Sequence, residues 1–221
     1  MIPRCLLALL ILYSPLAASS QAEKIRVACV GDSITFGACV QDREKNCYPV
    51  VLAGLLGEKH DVRNFGVSGA TLLKAGDLPW WKQAAFKDAT DFNPNVVVIK
   101  LGSNDTKPQN WKSKADFETD YKALIEHFKA LPAKPVVWVA LPVPVLKENF
   151  GINKKGAEEQ QLMILKVAKD EGCAVIDLYR AVATKDLFDQ DGIHPNAAGA
   201  KRIAETVFAT LTARKKEKPG K

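Results

Sequence analysis

Five short apolar runs recur along the chain, at Lys24 to Val30, Asp61 to Val67, Asn95 to Leu101, Lys134 to Leu141 and Cys173 to Leu178. Their hydrophobicity is nearly continuous, without strict alternation, as expected of strands covered on both faces of a parallel sheet. Longer segments with helical periodicity lie between them. The clearest runs from Lys114 to Leu131, where Phe117, Tyr121, Leu124, Ile125, Phe128 and Leu131 form one apolar stripe at three- and four-residue spacing. Another is predicted from about Glu158 to Asp170, and a last from Ala197 to about Ala213 with Asn196 as its N-cap. Gly57, Pro132 and Gly172 end or follow helices. The alternation predicts a single α/β domain over residues 23–213, a three-layer α/β/α sandwich around a five-stranded parallel sheet.

A sheet of this kind gathers the loops that leave its strands at one rim, where ligands bind. The residues following each run are Gly31, Asp32 and Ser33; Ser68, Gly69 and Thr71; Gly102, Ser103, Asn104 and Asp105; then "PVPV"; and, after a longer loop, "DQDGIHPN" with Asp191 and His194. Hydrolysis of an ester needs a nucleophile, a base, a group that orients the base, and donors for the oxyanion. Ser33 is the candidate nucleophile, presented by a tight turn that Gly31 permits. Of the three histidines, only His194 falls on a strand-exit loop, whereas His60 and His127 read as solvated surface residues. Asp191 precedes His194 by one turn, so its carboxylate can take Nδ1–H and leave Nε2 facing Ser33. Pro195 favours an extended His194. The N–H groups of Ser33 and Gly69 and the side-chain amide of Asn104 are the candidate oxyanion donors. A lone Gly-Asp-Ser or Asp-x-x-His is weak, and most such serines belong to turns. Their occurrence in this order, each after its own strand, is a strong signal.

Charge and cysteines narrow the setting. The net charge of +6 is concentrated in the C-terminal "RKKEKPGK" (residues 214–221), which reads as a disordered basic tail rather than a nucleic-acid surface. Residues 1–22 combine Arg4, a short apolar run and small residues at cleavage-type spacing. That pattern predicts a signal peptide, a secreted or periplasmic protein, and no stable membrane insertion after cleavage. Export allows disulfides, and Cys39 and Cys47 flank a polar loop short enough for a bridge. Cys29 and Cys173 read as free thiols within or beside strands. The absence of a Cys-x-x-Cys or a His/Cys cluster at metal spacing in the sequence argues against a structural zinc.

The blocks "GDSITFG", "NFGVSGAT", "KLGSNDTK" and "DGIHPNAAGA" resemble the four blocks of the GDSL-type esterases, or SGNH hydrolases, over about residues 24–213. Ile34 stands where the first block has leucine. The resemblance implies a flavodoxin-like sheet, Ser33 as nucleophile, Gly69 and Asn104 as oxyanion donors, His194 as base with Asp191 as its partner, and no metal or organic cofactor. Trp80, Trp81 and Trp111 leave the active rim and suit stacking on sugar rings. The wording of these segments is similar to the family's secreted acetylesterases of sialate or xylan type. The expected substrate is therefore a short acyl ester, an O-acetyl group on a carbohydrate. A lysophospholipase or short-chain thioesterase is the alternative, and a non-catalytic glycan-binding protein is the alternative of another class.

Overall fold

The computed structural model describes residues 23–216, with side chains to residue 213. The expected signal peptide and the last five residues of the expected tail lie outside the described residues. Five strands form one parallel sheet in the order β2-β1-β3-β4-β5. They are β1 (Ile25–Gly31), β2 (His60–Gly66), β3 (Val96–Lys100), β4 (Val136–Ala140) and β5 (Ala174–Ile176). Each lies within the predicted runs or one or two residues from them. The main helices are α1 (Tyr48–Leu56), α2 (Ala84–Asp91), α3 (Phe117–Lys129), α4 (Lys154–Asp170) and α5 (Ala197–Lys216).

Successive strand residues feed two separate cores. Ala28, Val30, Val97, Ile99, Val137 and Val139 pack with Phe117, Tyr121, Leu124, Phe128 and Ile164 of α3 and α4. Cys29, Val98, Trp138, Ala140 and Ile176 pack with Tyr48 and Leu52 of α1 and with Ile203, Ala204 and Val207 of α5. The expected three-layer sandwich is thus formed, with both sheet faces covered, and this accounts for the nearly continuous apolar runs of the central strands β1, β3 and β4, whereas the edge strand β2 carries His60, Asp61, Arg63 and Asn64. β1 lies between β2 and β3, so the chain reverses direction across the sheet beside Gly31. That switch point opens the crevice in which ligands of such sheets bind.

Local signals set most boundaries. The Asn196 Oδ1 accepts the Gly199 N–H at 3.0 Å, the expected cap of α5. α4 starts four residues earlier than expected, because Asn153 caps it through Gly156 N–H at 2.8 Å. The first turn of the predicted 114–131 helix is instead a separate 3₁₀ turn, Lys114–Asp116. α5 continues to Lys216, so its backbone is helical three residues into the segment expected to be a disordered tail. Among the described residues no helix is long and apolar enough to cross a membrane.

Candidate active site

Gly31 ends β1 where Cβ would have no room: one built there meets Thr35 Oγ1 at 2.0 Å and the Lys100 carbonyl oxygen at 2.6 Å. The chain turns at once into the single helical turn Ser33–Phe36, capped by Asp32, whose carboxylate accepts the Ile34 N–H at 3.0 Å. Ser33 sits at the start of this turn with its hydroxyl at the rim.

His194 reaches it from 161 residues away. Nε2 lies 2.9 Å from Ser33 Oγ, and Nδ1 lies 2.6 Å from Asp191 Oδ2. A carboxylate can only accept, so Nδ1 carries the proton and Nε2 accepts the Ser33 O–H. Asp191 Oδ1 also accepts the N–H groups of Ile193 at 2.8 Å and His194 at 2.9 Å. Burial pushes the Asp191 carboxyl upward, but these hydrogen bonds and the imidazole outweigh it and hold the group below its ordinary range. The loop is pinned on both sides. Asp189 N–H donates to the His194 carbonyl at 2.8 Å, and Leu146 N–H, from the segment after β4, donates to the Gly192 carbonyl at 3.0 Å. Gly192 has φ +72° and faces the Lys147 backbone at 2.8 Å from a built Cβ, so no other residue fits there.

The third strand exit supplies Asn104. Its amide donates one N–H to the Ala70 carbonyl at 3.1 Å, which orients the group and leaves its second N–H available. Gly69 precedes that carbonyl's residue with φ +86°. Beneath these groups lies a charged cluster that the sequence reading passed over. Lys100, inside an apolar strand, is 1% exposed and donates to both Asp32 oxygens at 3.0 and 3.2 Å and to Ser103 Oγ at 2.6 Å. Burial pulls the Lys100 ammonium below its ordinary range against the raising effect of Asp32. Asp105, also buried, accepts Leu72 N–H at 3.0 Å and Leu73 N–H at 2.7 Å; burial nevertheless pushes its carboxyl up to about 7. The visible signal was a lysine in a run of valine and isoleucine, one strand over from a buried acid.

Three expectations need correction: a ligand contact for Trp80, the Cys39–Cys47 bridge, and the solvated His60 and His127. Trp80 is fully buried, its Nε1–H on the Phe65 carbonyl and its ring against Phe86, so it cannot meet a ligand. Trp81 and Trp111 are half-buried against the same core, with their N–H groups given to the Leu72 carbonyl and to Glu159. The Cys39–Cys47 bridge is not formed: both thiols are free. The turn Arg43–Asn46 places Cys47 inward, within 3.7 Å of Asn64 Nδ2, while Cys39 points outward to Asp191 Oδ2 at 3.8 Å. His60 and His127 are half-buried, not solvated; His60 meets the Leu56 carbonyl, and His127 contacts Thr90 and stacks on Phe86. The aromatic ring that does stand beside His194 is Phe150, 59% exposed, with its centroid 5.8 Å from the imidazole. In the sequence its only mark is an aromatic before Gly151 in the loop after β4.

A family model for GDSL-like lipases and acylhydrolases matches residues 29–202. The chain belongs to that family. It is similar to an acetylxylan esterase of Xylanibacter ruminicola, 39% identical over 208 residues, a match covering 86% of this chain and 43% of that protein. The chain spans less than half the length of the curated relatives it matches. Its fold is shared with a carbohydrate acetylesterase from Sinorhizobium meliloti, at a TM-score of 0.74 and 20% identity over 86% of this chain and all of that one. It is shared as well with an aryl esterase of M. smegmatis, at 0.71 and 21% over 85% and 98%.

Proposed function

We propose that this family member is a serine carboxylic ester hydrolase that removes short acyl groups, above all acetyl, from carbohydrates. The observation carrying the reading is the unbroken hydrogen-bonded chain from Ser33 Oγ through His194 to Asp191 at 2.9 and 2.6 Å. In the first half-reaction Ser33 Oγ attacks the ester carbonyl while His194 Nε2 takes its proton. The oxyanion is met by the N–H groups of Ser33 and Gly69 and the free N–H of Asn104, which together strengthen as charge develops. Collapse expels the alcohol, which receives the proton from Nε2, and leaves an acyl group on Ser33. Water, activated by the same nitrogen, then releases the acid.

The substrate class rests on the 39% identity to an acetylxylan esterase and on the rim itself. Phe150, an exposed ring beside the imidazole, offers the flat apolar face on which a pyranose can stack, in place of the buried Trp80. An acylated carbohydrate, with no nucleic acid and no cofactor, is the partner this reading needs. Secretion or a periplasmic location would bring it to that substrate.

Acetylated xylo-oligosaccharides should be deacetylated, and p-nitrophenyl acetate cleaved much faster than the octanoate, with both activities lost in Ser33→Ala. Activity rising with acyl length would favour the lysophospholipase or thioesterase alternative. A fluorophosphonate that fails to label Ser33 would point to a non-catalytic glycan-binding protein.

A further inference from the structure

The outward thiol of Cys39, which the proposed reaction does not use, completes a donor set with two side chains that it does use. Its Sγ, an Asp191 carboxylate oxygen and a His194 ring nitrogen all lie within 4.8 Å of one another. Cys39 is exposed and Asp191 half-buried, so an ion can enter from solvent. The set combines thiolate, imidazole and carboxylate, the donors that zinc selects, and three such ligands with one water make a four-coordinate site. Two ligands on one tetrahedral zinc stand roughly 3.3–3.7 Å apart, given metal–ligand bonds of about 2.0–2.3 Å. The 3.8 Å from Sγ to Asp191 Oδ2 is already close to that span, and Oδ2 and His194 Nδ1, now 2.6 Å apart across their shared proton, would separate by about 1 Å as the ion replaces that proton.

We propose that Cys39, Asp191 and His194 form an inhibitory zinc site that competes with the catalytic hydrogen bond. Sulfur ligates as the thiolate, so the Cys39 proton must leave as the ion binds. It goes to solvent. The His194 proton moves from Nδ1, which now binds zinc, to Nε2. A ring protonated at Nε2 donates there and cannot accept the Ser33 proton, so the bound ion stops the reaction without touching the nucleophile. The inhibitory consequence rests on the esterase reading; the binding of metal does not.

Two readouts keep these apart. Cobalt(II) added to the metal-free protein should produce a thiolate-to-cobalt charge-transfer band that zinc abolishes and that Cys39→Ser lacks, whether or not the protein hydrolyses esters. In the esterase assay, zinc chloride should inhibit reversibly, with activity restored by EDTA. Cys39→Ser should keep its basal rate and need at least about tenfold more zinc for the same inhibition, the low end for disturbing even the surroundings of a metal site. Equal zinc sensitivity in Cys39→Ser, or wild-type protein with no thiolate–cobalt band, would overturn the site.

Discussion

The two sides of the candidate site are held by different means. On the side formed by the exits of β1 and β3, the turn carrying Ser33 and the turn carrying Asn104 are tied from below by one buried ammonium, since Lys100 reaches both Asp32 and Ser103. On the other side, the loop carrying Asp191 and His194 is held by backbone hydrogen bonds and by the segment after β4, and among the described residues the buried lysine–aspartate pair lies on the first side alone. In the proposed mechanism Ser33 and the oxyanion donors must stay fixed while charge forms between them, and buried charge pairs with few alternatives hold them so. In the same mechanism the His194 imidazole gains and loses a proton in each turnover. A partly hydrated loop lets it do so without leaving an uncompensated charge in the core.

The largest expected effect is on the loop side. Asp191→Asn should lower kcat by about 10⁴, through loss of the correct tautomer, with little change in melting temperature. A large loss of stability with the same residual rate would show that the loop is structurally as important as the buried side. On that buried side, Lys100→Met should destabilise the fold by about 3–5 kcal/mol, because it strands a carboxylate. The double variant with Asp32→Asn should recover much of that loss in a denaturant titration, and a purely additive cycle would mean the pair is not coupled. Asn104→Ala should reduce kcat by about 10²–10³, or roughly 2.7–4 kcal/mol in the transition state, with KM nearly unchanged. A change confined to KM would make Asn104 a binding residue.

A smaller effect is expected from pH. Asp105 is raised to about 7 in the fold, above the ordinary carboxylate value, so the native state holds a proton that the unfolded chain releases. Stability from this group is therefore full at low pH and declines as pH rises from about 4 to about 7. Asp105→Asn should flatten that part of the melting profile, and an unchanged slope would place the titration elsewhere. The smallest is the cap: Asn196→Ala should cost about 1 kcal/mol, read by thermal melting, as α5 loses the acceptor for Gly199 N–H.

The strands, the rim and the hydrogen-bonded residues Ser33, Asp191 and His194 were legible because they depend on periodicity and on residues immediately after each strand. What was missed depends on where loops travel. Trp80 follows a rim segment in sequence, yet the chain folds back and buries its ring under Phe86. Cys39 and Cys47 are close along the chain, but an intervening helical turn directs them apart. Lys100 was hidden by its apolar neighbours, because a charge within a strand makes sense only once Asp32, just past the end of the adjacent strand, is known to meet it. Phe150 gains its place from the segment that braces the histidine loop, and no local pattern announces that brace.

The 161-residue separation of Ser33 from His194 has a consequence for biosynthesis. A chain emerging from the ribosome presents Ser33, the proposed nucleophile, early, and β1, β2 and β3 with the turns carrying Gly69 and Asn104 can pair while the rest is still being made. Until the segment after β5 has emerged and docked against the sheet, Ser33 lacks His194, its proposed base. Ribosome-bound chains that stop short of Asp191 should therefore be inert toward a fluorophosphonate, and reactivity should appear abruptly once the residues of α5 have cleared the exit tunnel.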